Sequence, residues 1–223
     1  MELKLRQFEE KIEEYYLSCM PSINALPDKS FLTQWPLQQF SICRLYEAVA
    51  GHLSPEVARK VADKLVDIKL HFAYLLTVNE HFYRGATLIV GNHELEKLNP
   101  NTISLLRAIH YRVYLLTVLI EQVLDLLWVM AHGEMATFRK NKWAKIIERV
   151  HLQTAQAIVT DTDAALLLSF NERYRTAELH KYSAVRGLTG KGEWTHLQEE
   201  EQAVIRLLSN TYSYFTRNPS TAA

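Results

Sequence analysis

Residues 101–132 read NTISLLRAIHYRVYLLTVLIEQVLDLLWVMAH, thirty-two positions without a glycine or a proline. Apolar side chains go nearly all the way round a helix built from this stretch, so it predicts a helix buried on every side, at the centre of a bundle. Gly133 ends it. The core of the stretch, Val113 to Met130, is apolar enough to suggest a membrane span, but Glu121, Gln122 and Asp125 lie inside it and are expensive at mid-bilayer. It reads as the core helix of a soluble fold.

Working outward, the same helical spacing recurs. Upstream, Val57, Val61, Leu65, Ile68, Phe72 and Leu75 recur every three to four residues after Ser54-Pro55-Glu56. That triplet is a strong helix start: an oxygen cap, a ring that presets φ, and an acid at the positive end of the dipole. The spacing predicts a helix until Gly85, with Ala86 to Val90 a short β-compatible loop or isolated strand. Further upstream, Pro36 at a first turn followed by Leu37, Phe40, Leu45 and Val49 predicts a helix closed by Gly51, and Glu2 to Leu17 a charged amphipathic one stopped near Pro21. Downstream, residues 134–186 hold neither Gly nor Pro, and the capping oxygens of Thr160-Asp161-Thr162-Asp163 divide them into two helices. Gly187, Gly190 and Gly192 make a turn, after which Trp194, Leu197, Val204, Leu208, Tyr212 and Phe215 stripe a last helix. The expectation is an all-α bundle of six or seven helices in one domain, 1–217, with a disordered tail at 218–223.

Composition agrees. Glycine is 7 of 223 residues, roughly half the usual share, which leaves little turn chemistry for many short strands. A chain of this length buries roughly 70 to 75% of its unfolded surface and needs no staple. Lys and Arg number 25 against 25 Asp and Glu, so no global field holds nucleic acid or an anionic membrane, and any polyanion site must be local. Met1 to Ile12 lacks a secretory pattern, and Cys19 and Cys43 stand in no metal or redox spacing. A cytoplasmic, membrane-free protein is expected.

The local exception to charge balance is Asn171-Glu172-Arg173-Tyr174-Arg175-Thr176-Ala177-Glu178-Leu179-His180-Lys181-Tyr182-Ser183-Ala184-Val185-Arg186. Arg173, Arg175, Lys181, Arg186 and Lys191 gather around one imidazole. Guanidinium forks match phosphate oxygens, and His is the side chain suited to proton transfer near neutrality. Tyr174 and Tyr182 could stack on bases. The alternative is a solvated helix face in which Glu172 and Glu178 pair the cations.

Arg175 with His180 forms R-x4-H, and Arg173 with the same His forms R-x6-H. Both resemble the R-x(4-6)-H motif of the HEPN superfamily, helical proteins with the motif in the C-terminal part of a bundle. The resemblance covers the region from Asn101 to Phe215, the bundle core, and leaves the N-terminal helices of 1–100 without a counterpart. It implies an RNA-directed protein whose catalytic form is a metal-independent endoribonuclease leaving 2′,3′-cyclic phosphate ends, with no cofactor. His180 would be the base or proton shuttle, and Arg175 or Arg173 would hold the scissile phosphate. Lys181, Arg186, Tyr174 and Tyr182 would bind substrate. The chain departs from the commoner pattern in having Thr176 after Arg175, where Asn, Asp or His is usual. If α-helix continues through the motif, Arg173 and His180 lie seven apart on one face while Arg175 points elsewhere. The family also implies a homodimer whose two motifs share a cleft, and a nucleotidyltransferase-type antitoxin as partner.

Two other readings come from different classes. One is a non-catalytic helical interaction module using the same Arg/His cluster. The other is a metal-dependent bundle enzyme: Glu148-x-x-His151 and Glu193-x-x-His196 repeat the spacing of bundle metal sites, with Glu121 as a further ligand. Against it, such spacings also arise from capping and surface pairs. Glu121 and Asp125, four apart on the apolar helix, are expected to share a salt bridge with a lysine or arginine. Asp67, His71, His81, His93 and His110 show no ligand grouping, and no Gly-rich phosphate loop, nucleophile elbow or Cys-Cys pair is present.

Overall fold

In a computed structural model, which describes residues 1–24, 37–90, 100–138, 140–176 and 197–218, the chain is a helical bundle. Among these residues there are seven α-helices, one 3₁₀ turn at Leu37–Gln39, one π-turn at Asn171–Thr176, and no strand. The helices are α1 (Glu2–Asn24), α2 (Ile42–Ala50), α3 (Pro55–Val90), α4 (Pro100–His132), α5 (Lys142–Thr154), α6 (Asp161–Phe170) and α7 (Leu197–Arg217).

The all-round apolar helix is central. α4 packs on α3, α5, α7 and the π-turn, and Leu116, Leu119, Ile120, Val123, Leu124 and Val129 are fully buried. Each such side chain stabilises the fold by about 1.5–3 kcal/mol relative to exposure. Its segment His110–His132 is long and apolar enough to cross a membrane, but 67% of that window is buried inside the bundle. Its apolar surface is therefore used by neighbouring helices. Gly133 closes α4 at φ +67°, a left-handed conformation that favours glycine, with its N–H donating to Val129 O at 2.8 Å.

Three boundaries differ from the sequence expectation. α3 runs through Gly85, and Ala86 to Val90 are its last turns. One glycine costs a helix only about 1 kcal/mol, and a lone strand would leave its backbone groups unpaired. α1 likewise continues past Pro21 to Asn24, because a proline in the last turn removes a single ladder hydrogen bond. The helix expected across Leu37 to Gly51 is interrupted before Ile42, where Ser41 caps α2: its Oγ accepts from Arg44 N at 3.3 Å. The expected division near Thr160 is present, with Thr160 Oγ1 accepting from Asp163 N at 3.1 Å. Ser54 caps α3 as its sequence suggests, accepting from Val57 N at 3.4 Å.

The interruption before α2 has a tertiary cause. Glu9 of α1 is almost buried, and its carboxylate accepts from Ile42 N at 2.7 Å and from Ser41 Oγ at 3.2 Å. It thereby satisfies an orphan amide at the positive end of α2. Lys69 of α3, fully buried, donates to Glu9 at 2.7 Å and also to Glu13. Burial raises the pKa of Glu9, but the Lys69 hydrogen bond and charge, with Cys43 and the Ile42 amide, outweigh it and hold the carboxyl below its ordinary value of 4.5. A depressed carboxyl contributes stability that is present above its unfolded pKa and lost as pH falls through the folded one. The Cm for urea unfolding should therefore fall as pH drops below about 4.5, and less steeply in Glu9→Gln; equal acid sensitivity in both proteins would contradict this coupling.

Beside Glu9, burial raises the Cys43 thiol, and its hydrogen bond to the Glu9 carboxylate and that group's charge add to the effect, pushing the pKa to about 12. Both cysteines are free thiols. At pH 8, Ellman's reagent should label Cys19 in the native protein and Cys43 only with unfolding, since the thiolate is the reactive form. Two equally fast thiols would show that the α1–α2 junction opens readily.

Candidate functional site

The basic segment begins where α6 ends, so the elements that place α6 place its first residues, Asn171–Thr176. Asp163, in the first turn of α6, is buried and takes a two-pronged contact from Arg206 of α7, with Nη2 to Oδ1 at 2.7 Å and Nε to Oδ1 at 3.1 Å. On the same side, Asn210 Nδ2 donates to Ile158 O at 3.2 Å, fastening the α5–α6 connection to α7. That connection contains Ala155 and Gln156 at φ 48° and 68°, left-handed conformations uncommon for residues with side chains.

At the far end of α6 the chain does not stop but widens. Asn171–Thr176 is a π-turn, a form with i→i+5 hydrogen bonds that occurs frequently at functional sites. Phe170 is fully buried, and Tyr174 packs on it with ring centroids 5.2 Å apart. The neighbouring Glu172 and Arg173 are exposed. One buried ring thus fixes the turn from inside and leaves Arg173 facing solvent.

The expected site residues divide accordingly. Arg173 is on the surface, where a phosphate could meet it. Tyr174 is 4% exposed, so the expectation that it stacks on bases is corrected: its ring is already packed in the core. Arg175 takes part in the turn through its backbone. His180, Lys181, Tyr182 and Arg186 lie outside the described residues. The π-turn also removes the basis for preferring Arg173 over Arg175, because that argument assumed 3.6 residues per turn throughout.

Between α4 and α7 lies a charged pair that sequence reading did not single out. Arg112 of α4 and Glu201 of α7 are fully buried, and Arg112 Nε donates to the Glu201 carboxylate. Glu200 is buried beside it in sequence, at 4% exposure. A signal was present: a permanently charged guanidinium in a helix that is apolar all round requires a partner, and the acidic run Glu199-Glu200-Glu201 supplies one.

The carboxylates of α4 behave as expected. Lys142 of α5 reaches Asp125 at 2.6 Å and Glu121 at 3.2 Å, and Lys64 of α3 reaches Asp125 at 3.1 Å. Burial lowers the Lys142 pKa, but the hydrogen bond and charge of Asp125, then those of Glu121, outweigh it and leave the pKa raised. These pairs join three helices and commit Glu121 to a lysine. In the Glu148-x-x-His151 half of the proposed metal pair, Glu148 is exposed. His151 Nδ1 lies 3.1 Å from Val159 O, and its Nε2 lies 3.3 Å from an Asp161 oxygen. No group of three or more His, Cys, Asp or Glu is arranged to hold a metal among the described residues; Glu193 and His196 lie outside them.

Comparison with family models, with curated proteins and with solved structures finds no match to this chain.

Proposed function

We propose that this protein is a HEPN-like, RNA-directed cytoplasmic protein, and that its catalytic form is a metal-independent endoribonuclease acting at Arg173, Arg175 and His180. The observation that carries the reading is the π-turn that opens the motif, locked by buried Tyr174 and presenting Arg173 to solvent. In this reaction His180 removes the proton of a ribose 2′-hydroxyl. The 2′-oxygen attacks the adjacent phosphorus, the bond to the 5′-oxygen breaks, and that oxygen takes up a proton as it leaves. The products are a 2′,3′-cyclic phosphate and a 5′-hydroxyl. An arginine stabilises the negative charge developing on the phosphoryl oxygens.

The same reading includes a homodimer with both motifs at one cleft and a nucleotidyltransferase-type antitoxin as partner. The test is gel-resolved cleavage of total RNA by wild type and His180→Ala, with and without EDTA, and with product ends assayed for cyclic phosphate. Cleavage by wild type in EDTA is expected. No cleavage across varied RNAs, with any antitoxin removed, leaves a helical interaction module. Activity lost in EDTA and restored by a divalent metal transfers the reading to metal-dependent chemistry.

A further inference from the structure

The carboxylate of Glu9, on α1, is gripped by groups from two other helices. Its Oε1 accepts from Ile42 N at 2.7 Å and from Lys69 Nζ at 2.7 Å, and its Oε2 accepts from Ser41 Oγ at 3.2 Å. The Ser41 hydroxyl proton is free for this bond because its oxygen accepts from Arg44 N at 3.3 Å. The Cys43 thiol adds a fourth hydrogen bond. Three of these donors stand at the start of α2, and the fourth is a fully buried ammonium on α3. To this cluster α1 supplies only anions, Glu9 and, one turn on, Glu13, which also binds Lys69.

The rest of α1 is held lightly. Along its 23 residues the buried apolar side chains are Leu5, Ile12 and Tyr16, while Leu3, Phe8, Tyr15 and Leu17 stay exposed. By contrast, α4 buries five in succession from Leu126 to Met130. Segments with few buried apolar contacts open more readily than the core. α1 packs on α2, α3 and the 3₁₀ turn, but α2 also packs on α7 and α3 on α4, so both keep other neighbours when α1 leaves. What opposes its leaving is Lys69, because a buried cation stripped of its partners is costly.

We propose that the start of α2 and Lys69 form a carboxylate-binding site, that Glu9 fills it as a tethered ligand, and that α1 is therefore a strap, released from a folded bundle when that carboxylate is withdrawn or displaced by another. The donor set selects a carboxylate. Two oxygens in one plane are each met by a donor, and a helix N-terminus beside an ammonium favours negative charge. Burial opposes ionisation of Glu9, but the Lys69 hydrogen bond and charge outweigh it, so the site holds the anion and not the acid. Tethering gives Glu9 a high effective concentration, which a free carboxylate must exceed to displace it. The inference uses no residue of the Arg/His segment and stands apart from the RNA-directed reading.

Hydrogen exchange on the full-length protein tests the strap. In wild type the amides of residues 5–16 should exchange faster than those of residues 116–129 in α4. Glu9→Gln, which keeps the shape of the side chain and removes its charge, should speed exchange at residues 5–16 by about tenfold or more and leave residues 116–129 within a few-fold. One common rate for both segments in wild type, or equal acceleration of both in Glu9→Gln, overturns the strap.

Sodium acetate tests the site, because Glu9→Ala removes a group of its size. Once acetate exceeds its Kd about fivefold, it should raise the thermal midpoint of the alanine variant by about 2–4 °C over sodium chloride at the same ionic strength, and saturate. Wild type and Glu9→Gln, whose sites are filled, should not distinguish the two salts. If the alanine variant is unfolded in chloride, acetate should restore its helical circular dichroism. Equal behaviour of the alanine variant in acetate and chloride, or an acetate effect shared by wild type, overturns the site.

Discussion

Arg112→Ala is expected to lower unfolding free energy by about 3–5 kcal/mol, against a total of about 5–15 kcal/mol for a domain. Both Arg112 and Glu201 are fully buried, so the substitution strands the Glu201 carboxylate in a core made by α4 and α7. The loss is larger than that of a surface pair, which is worth about 0–1 kcal/mol. Removing the acid with the base should behave differently. Arg112→Met combined with Glu201→Leu replaces both charges by apolar volume and is expected within about 1–2 kcal/mol of wild type, or above it, because desolvation of two ions is no longer required. Urea or guanidinium unfolding measures both. A loss below about 1 kcal/mol in Arg112→Ala would show that water reaches the pair.

His180→Ala should reduce RNA cleavage by about 10² or more while leaving RNA affinity within a few-fold. A proton shuttle acts in the transition state, and general acid–base help is typically worth about 10²–10⁴ in rate. The arginines should follow another pattern. At whichever of Arg173 and Arg175 faces the phosphate, alanine weakens both binding and rate, because the guanidinium fork holds the ground state as well as the transition state. At the other position the change is nearly silent. Equal turnover by wild type and His180→Ala defeats the mechanism. A docking patch would instead make all three substitutions alter partner affinity with no cleavage to lose.

The motif's residue types were readable in the sequence, but their arrangement was not. Counting seven residues from Arg173 to His180 presumes an uninterrupted α-helix, and local propensity contains no warning of the π-turn at Asn171–Thr176. Such a turn forms where packing fixes it, here with Tyr174 drawn onto Phe170. The same cause took Tyr174 away from the base-stacking role its neighbours suggested.

What the sequence determined by itself was the periodic and the local. The all-round apolar run of residues 101–132 specified a central helix, Ser54 and Thr160 specified helix starts through their own hydroxyls, and the i, i+4 carboxylates Glu121 and Asp125 specified a cationic partner. These follow from helix geometry and the cost of leaving polar groups unsatisfied, which act within a turn or two. Tertiary structure decided the rest: that Glu9 of α1 caps α2, that Lys69 and Arg112 are the buried cations, and that α3 continues past Gly85. Each depends on a group brought from a distant part of the chain, or on there being no strand to pair with among the described residues. A buried charge or an unpaired backbone costs several kcal/mol, more than any single-residue propensity, so packing overrides local preference at those positions.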